Sequence, residues 1–275
     1  MIPVAGLGSR LLPFTKEQPK EMLPLFVKSG IKPTVQIIFE ELYDAGIRKF
    51  IFIVGRGKRV IEDHFIPNYL LTDNLKNNGK ESYAEDLLTF YKKIEKSSIV
   101  WINQTRPKGF GHAVSLARSY VLSNQFFVHA GDTVITNEAQ ENTIKRMIDS
   151  ISTNAEEEQS LLCIRKIRKK SLLRQYGVAN LDGTRVIHVE EKPQSPTSEF
   201  ALMPLYIFTR KIFDMLVEIK PGLGNENQLT DAIELLIKSG ESVSGKLLGE
   251  DTIRMDVGTP ETYYEALINS YKVLR

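Results

Sequence analysis

Cysteine is almost absent from this chain. The single Cys163 excludes an internal disulfide, and with four scattered histidines it offers no zinc-type ligand spacing. A reducing, cytoplasmic setting is the expectation. Charge of one sign is missing too: 36 Lys and Arg against 34 Asp and Glu leave a net +2. That balance gives no overall field suited to nucleic acid or an anionic membrane, so neither is expected as a partner. No apolar run reaches the roughly 20 residues that cross a bilayer, and Arg10 arrives before a signal-peptide core could develop. No Pro- or Ser-rich linker, repeat or low-complexity tract interrupts the chain.

What is present is an ordinary globular composition, 42% hydrophobic and 25% charged over 275 residues, long enough to fill a core without staples. Short apolar runs rich in Ile, Val and Phe alternate with segments of helical period, the pattern of an α/β protein with a partly parallel sheet. Ile2 to Val4, Phe50 to Val54, Ile99 to Ile102 and Phe126 to His129 are continuous runs, predicted as central strands covered on both faces. Thr34 to Ala45, Tyr83 to Lys96 and His112 to Val121 read as helices. Beyond about residue 155 the texture changes. Leu161 to Ile164, Val186 to Val189 and Leu202 to Phe208 suggest strands, with Asp182-Gly183 as a hairpin turn between the first two. Helical patterns return at Ile212 to Ile219, Leu229 to Lys238 and Glu261 to Val273. One domain over residues 1–275 is the simplest organisation, with halves at about 1–155 and 156–275.

The most informative stretch is the start, where a short strand runs into Ala5-Gly6-Leu7-Gly8-Ser9-Arg10. Glycines after a strand let backbone N–H groups approach a phosphate. Leu11 stands where a dinucleotide fingerprint needs its third glycine, Pro13 follows at once, and no Gly-Lys-Ser or Gly-Lys-Thr is near. Neither a nicotinamide site nor a P-loop is indicated. Arg10, Lys16 and Lys20 follow among Pro13, Pro19 and Pro24. Cations on a stiffened segment beside free amides suit a polyphosphate, although a solvated surface loop has the same composition.

From Ile2 to Pro24 the text IPVAGLGSRLLPFTKEQPKEMLP resembles the signature of the sugar-phosphate nucleotidylyltransferases, closest to members that use UTP and glucose 1-phosphate. The likeness continues through Gln104 to Ala113, Gly131-Asp132, Tyr176-Gly177-Val178, Glu190 to Pro193, Asn225 to Ile233 and Asp256-Val257-Gly258, in the family's order. It implies a Rossmann-like mixed, mostly parallel sheet flanked by helices, the nucleotidyltransferase fold of the glycosyltransferase-A type, with a hairpin-bearing sugar-binding lobe. It also implies transfer of a uridylyl group from UTP to a hexose 1-phosphate with Mg2+ as cofactor, dTTP being the alternative nucleotide. A homodimer or homotetramer is implied as well.

Carried over residue by residue, the resemblance assigns Arg10 and Lys20 to the triphosphate, and Ala5, Gly6, Gly8, Gln104 and Gly109 to nucleotide binding. Gly177, Glu191, Lys192 and Glu226 go to the sugar phosphate, and Asp132 and Asp256 to the metal. The residue chemistry agrees. Asp132 closes a buried strand, where ligands of open α/β sheets collect. Two carboxylates plus substrate phosphates suffice for magnesium. A glutamine amide can donate to and accept from the imide edge of uracil. Asp256, before Val257-Gly258-Thr259-Pro260, equally has the look of a capping residue. His112 is read as a packing or hydrogen-bonding residue, and Cys163 as a small buried hydrophobe.

Two positions depart from the pattern. Pro204 stands where relatives commonly carry a glycine beside the sugar, and Asn227 replaces an apolar residue, so the identity of the sugar stays open. A non-catalytic nucleotide-sugar sensor is the alternative from a different class, and Asp132-Thr133-Val134 lacks the Asp-x-Asp of a metal-dependent glycosyltransferase.

Overall fold

The computed structural model describes residues 1–137, 142–152 and 159–273. The expected division near residue 155 therefore lies outside the described residues. Thirteen strands are found among those described: β1 (Ile2–Val4), β2 (Pro24–Val27), β3 (Gly30–Pro33), β4 (Lys49–Val54), β5 (Ser98–Asn103), β6 (Gln125–His129), β7 (Thr133–Asn137), β8 (Ser160–Lys166), β9 (Gly177–Asp182), β10 (Arg185–Glu191), β11 (Phe200–Thr209), β12 (Val243–Leu247) and β13 (Thr252–Asp256).

β1, β4 and β5 form a parallel sheet in the order β1-β4-β5. β1 also lies beside β6, since the N–H of His129 donates to the carbonyl of Met1 (3.0 Å) and that of Gly131 to Pro3 (3.2 Å). These bonds advance along both strands in the same direction, so β6 runs parallel to β1. The loops after β1, β5 and β6 consequently open on one edge, which is where the parallel part of the mixed sheet collects its phosphate-facing residues. From β6 the sheet continues as β6-β11-β8-β12-β10-β9. There only β8 and β12 pair in parallel, and the other ladders are antiparallel.

Three details differ from the sequence reading. β5 is the outer strand of its sheet and is only half-buried, so Ile99 to Ile102 is not central. Its apolar run packs against the helix Glu81–Glu95, and its Trp101 stacks on the cross-strand Phe52 of β4 at 4.6 Å. The partner of Val186 to Val189 across the Asp182-Gly183 turn is β9, not Leu161 to Ile164, with Asp182 facing Arg185. The strand Gly177–Asp182 mixes Gly, Ala, Asn and Asp with only two large apolar residues, too weak a period-2 signal to stand out.

The helix Thr34–Asp44 buries Val35, Ile38, Phe39 and Leu42 against the parallel strands. Phe39 meets Phe50 at 4.6 Å and Phe65 at 5.1 Å, and all three are buried. An aromatic cluster of this kind contributes about 1.5–3 kcal/mol per fully buried ring. The helix predicted over His112 to Val121 is shorter, Phe110–Ser115, and gives way to turns. Cys163 is fully buried in β8, and burial pushes its thiol up to about 12, so it packs as a neutral side chain. No helix among the described residues is long and apolar enough to cross a membrane.

Candidate functional site

Two adjoining cavities open at the edge set by β1, β5 and β6. One, of about 300 Å³, is lined by Ala5, Gly6, Gly8, Lys20, Gln104, Gly109, Asp132 and Glu226, among others. Its neighbour, of about 430 Å³, takes in Arg10, Gly177, Glu191, Lys192, Pro204 and Arg254 and shares Gly6, Gly8, Lys20 and Glu226 with the first. The glycine loop and Lys20 thus form the wall between them. Every predicted site residue except Asp256 lines one cavity or both.

The glycine loop has its shape for a local reason. Gly8 adopts φ 65°, and a Cβ there would come within 2.9 Å of Thr15, whose hydroxyl donates to the Gly8 carbonyl at 2.7 Å. That contact folds the following segment back, so that Lys20 reaches β6. Lys20 Nζ pairs with Asp132 Oδ2, both side chains being largely buried. Burial opposes the charge on Asp132, but Lys20 beside it, helped by Arg254 and Thr133, holds the carboxyl down to about 2. Lys20 itself is raised despite burial, by Asp132 and Glu21. Lys16 lies on the surface against Glu17, outside both cavities.

Asp256, the last residue of β13, is in register with Thr133 at the start of β7. The Thr133 hydroxyl lies 3.3 Å from Asp132 Oδ1 and 3.2 Å from Asp256 Oδ2, and the N–H of Val257 donates to the Asp132 carbonyl at 3.0 Å. Two carboxylates far apart in sequence therefore meet at one hydroxyl. Asp256 Oδ1 accepts from the N–H of Gly258 (2.8 Å) and the Thr262 hydroxyl (3.0 Å), a turn rather than a helix cap, since it is the Thr259 hydroxyl that accepts the Thr262 N–H (3.2 Å) at the start of the following helix. Oδ2 is left facing Thr133 and pairs with Arg254. Among the described residues no third His, Cys, Asp or Glu joins the two acids.

Gln104 follows β5 and is buried. Its amide nitrogen donates to the Gly109 carbonyl (3.2 Å) and meets His112 Nδ1 at 2.8 Å. Burial, then Lys108, lowers the His112 pKa, which suits a neutral ring accepting at Nδ1. Both amide protons are thereby used, and Gln104 presents its oxygen as an acceptor rather than a donor–acceptor pair. Gly109 has φ 98°, and a Cβ would lie 2.8 Å from Glu226 Cβ. Backbone bonds from Gly111 to Asn227 and from Asn227 to Lys108 stitch this segment to the Glu226 loop. Asn227 acts there through its main-chain N–H and carbonyl, which any residue except proline supplies.

On the other side, Gly177 opens β9 directly opposite Glu191. Glu191 accepts from the Thr230 hydroxyl at 2.7 Å and pairs with Lys192 at 3.2 Å. Lys192 has φ 44°, a left-handed conformation that costs a non-glycine residue about 1–3 kcal/mol and recurs at ligand sites. Its N–H donates to the Tyr176 carbonyl at 3.0 Å. Pro204 sits in β11 where the pairing with β8 shifts register between Leu202 and Tyr206, so its missing N–H leaves no ladder bond broken there. Its carbonyl accepts from Ala130 at 2.9 Å.

Sequence reasoning missed three members of this constellation. Thr133 and Arg254 stand next to predicted acids, and the spacing Arg254-Met255-Asp256 puts two charges on one face of a strand, a usable signal. Glu21 lines the smaller cavity and accepts from Lys58 at 2.7 Å in a pair that is almost wholly buried. Nothing local in the sequence pairs those two.

A nucleotidyl transferase family model matches residues 1–272. The UTP–glucose-1-phosphate uridylyltransferase of Bacillus subtilis is 38% identical over 247 residues, covering 86% of this chain and 79% of that protein. Its counterpart from Streptococcus pyogenes is 36% identical over 269 residues, covering 94% and 83%. A crystal structure of a UDP-glucose pyrophosphorylase complexed with UDP-glucose superposes with a TM-score of 0.83 at 30% identity, covering 98% of this chain and 97% of that one. By sequence and by fold, the chain belongs to the nucleotidyl transferase family.

Proposed function

We propose that this protein transfers a uridylyl group from UTP to glucose 1-phosphate, giving UDP-glucose and pyrophosphate. The observation that carries the reading is the meeting of Lys20–Asp132 and Arg254–Asp256 at the Thr133 hydroxyl, with Lys20 lining both cavities, Asp132 the smaller and Arg254 the larger. Two mutually repelling anions need positive charge where they meet; Lys20 and Arg254 balance the two carboxylates, and a divalent cation on Asp132 and Asp256 would supply the surplus.

The smaller cavity takes the nucleotide. Gln104 accepts from the uracil N3–H, the glycine-loop amides and Lys20 face the phosphates, and Arg10, which lines the larger cavity, meets them from the far side of the glycine loop. The larger cavity takes the sugar phosphate, with Lys192 on the phosphate and Glu191, held by Thr230, accepting from a sugar hydroxyl. Glu226, bordering both cavities, adds a second hydroxyl partner. A phosphate oxygen of the sugar 1-phosphate forms the new bond to the α-phosphorus of UTP, and the bond to the β-phosphate oxygen breaks. The attacking oxygen is already anionic near neutral pH, so no side chain has to remove a proton. Lys20 and Arg10 neutralise the departing pyrophosphate.

Asp132 and Asp256 fit a divalent cation. Two acids with no third protein ligand match magnesium, which completes its shell with phosphates and water. When bound, the ion supplies Lewis-acid neutralisation of the phosphate oxygens. A single-domain reading is supported by the β6–β11 and β7–β13 ladders, which pair strands from the two halves.

Purified protein given UTP, glucose 1-phosphate and Mg2+ should release pyrophosphate and form UDP-glucose, with dTTP and other hexose 1-phosphates as the comparison set. Silence across the whole matrix, together with tight binding of UDP-glucose, would replace the enzyme reading with a sensor.

A further inference from the structure

Arg254 holds a central place in the site, and the reaction scheme above gives it no substrate. Its side chain is 18% exposed. One terminal nitrogen pairs with Asp256 Oδ2, and the other donates to the Tyr176 hydroxyl at 3.3 Å. The guanidinium carbon lies 5.3 Å from the centre of the Tyr176 ring. These bonds engage two of the five N–H donors, and of the other three the Nε–H is buried with no acceptor among the described residues. Buried N–H groups are almost always paired, and an orphan in a cavity wall points to a partner that a ligand brings.

The position of Arg254 decides which ligand. It lines the larger cavity and is absent from the wall of the smaller one. Tyr176, which orients the guanidinium through its hydroxyl, accepts the N–H of Lys192 at its carbonyl. Arg254 and Lys192 are thus anchored on the same residue, and both face the space beside Gly177. A cationic fork with an unpartnered Nε–H suits an anionic oxygen far better than a hydroxyl.

We propose that Arg254 is a ligand of the sugar phosphate: its Nε–H donates to a phosphate oxygen of the sugar 1-phosphate while its terminal nitrogens hold Asp256 and Tyr176. The inference rests on the reading that the larger cavity takes a sugar 1-phosphate. The competing role, a counter-ion for Asp256 alone, needs the charge but not Nε.

The test is titration calorimetry of UDP-glucose and of UMP in EDTA, which removes any effect through the metal, on wild type, Arg254→Lys and Arg254→Met. Both variants should bind UDP-glucose about ten- to a hundredfold more weakly, with UMP unchanged within about threefold, and the KM for glucose 1-phosphate should rise by the same factor. Arg254→Lys keeps the charge beside Asp256 and covers the case in which the methionine variant fails to fold. In wild type, the Arg254 Nε–H resonance, assigned by its loss in Arg254→Lys, should move on adding UDP-glucose and not on adding UMP. Wild-type affinity for UDP-glucose in Arg254→Lys, or an unmoved resonance, would overturn the assignment. A wild type that neither binds UDP-glucose nor turns over would instead remove the substrate reading, and Arg254's role with it.

Discussion

The smaller cavity and the larger one are built by different means. The smaller draws on the ends of parallel strands, β1, β5 and β6, with loops that leave them directly: Ala5 to Lys20, Gln104 to Gly109 and Asp132. Their glycine-loop amides are backbone groups, and Gln104 and Asp132 follow β5 and β6, so strand direction fixes where they stand. The larger is assembled from one end of a hairpin, a bulged strand and two loops, at Gly177, Glu191 and Lys192, Pro204, and Glu226 to Thr230. Its polar groups are side chains held by other side chains, such as Glu191 by Thr230. A site made of backbone at strand ends tolerates little change, whereas one made of side chains on loops can be retuned. The departure at Pro204 falls on the second kind.

The comparison would break if substitutions in one cavity changed use of the other's substrate. The largest effect is expected where they meet. Asp132→Asn should lower turnover by about 10²–10³-fold with an unchanged circular dichroism spectrum, since it removes one of the two carboxylates that would hold a divalent cation beside the reacting phosphates. Near-normal rates would take Asp132 out of the site. Next, Lys192→Ala should raise the KM for glucose 1-phosphate about 10- to 100-fold, the worth of a charge-assisted hydrogen bond, and leave that for UTP within about threefold. Gln104→Leu should do the reverse, raising the KM for UTP about tenfold with the sugar phosphate little affected. Reversed or equal effects in that pair would mean that the cavities are assigned the wrong way round.

A smaller effect is expected at the seam. Gly109→Ala places a Cβ 2.8 Å from Glu226 and 2.9 Å from the Asn227 carbonyl at φ 98°, and should cost about 1–3 kcal/mol in denaturant unfolding. Both KM values should move with it, because Glu226 borders both cavities.

The smallest effect is in pH dependence. Burial lowers His64 and His129 to about 4, so the unfolded chain takes up their protons first and stability falls as pH drops from about 6.5 to about 4. Asp132, held at about 2, contributes stability above about 4 that is lost as pH falls further, towards 2. Asp132→Asn should make the second decline shallower and keep the first, and an equally steep second decline in both proteins would contradict this.

The helix over Thr34 to Asp44, the strands β1, β4 and β6, and the turn at Asp182-Gly183 were legible because each depends on local period or turn chemistry. Strand β9 was not, since its pairing with both β10 and β11 compensates for a weak pattern of its own. The candidate residues were legible as separate patches, through the order in which glycines, cations and acids recur along the chain. Their convergence was not. Sequence alone determined an α/β chain with a phosphate-friendly loop after β1 and an acid after β6, because both follow from neighbours in the chain. Tertiary structure alone decided that Asp256 and Arg254 stand beside Thr133, that Glu21 is neutralised by Lys58, and that Gln104 offers an acceptor. Those outcomes depend on strand register and on which groups burial forces to find a partner, and neither is encoded within reach of any single residue.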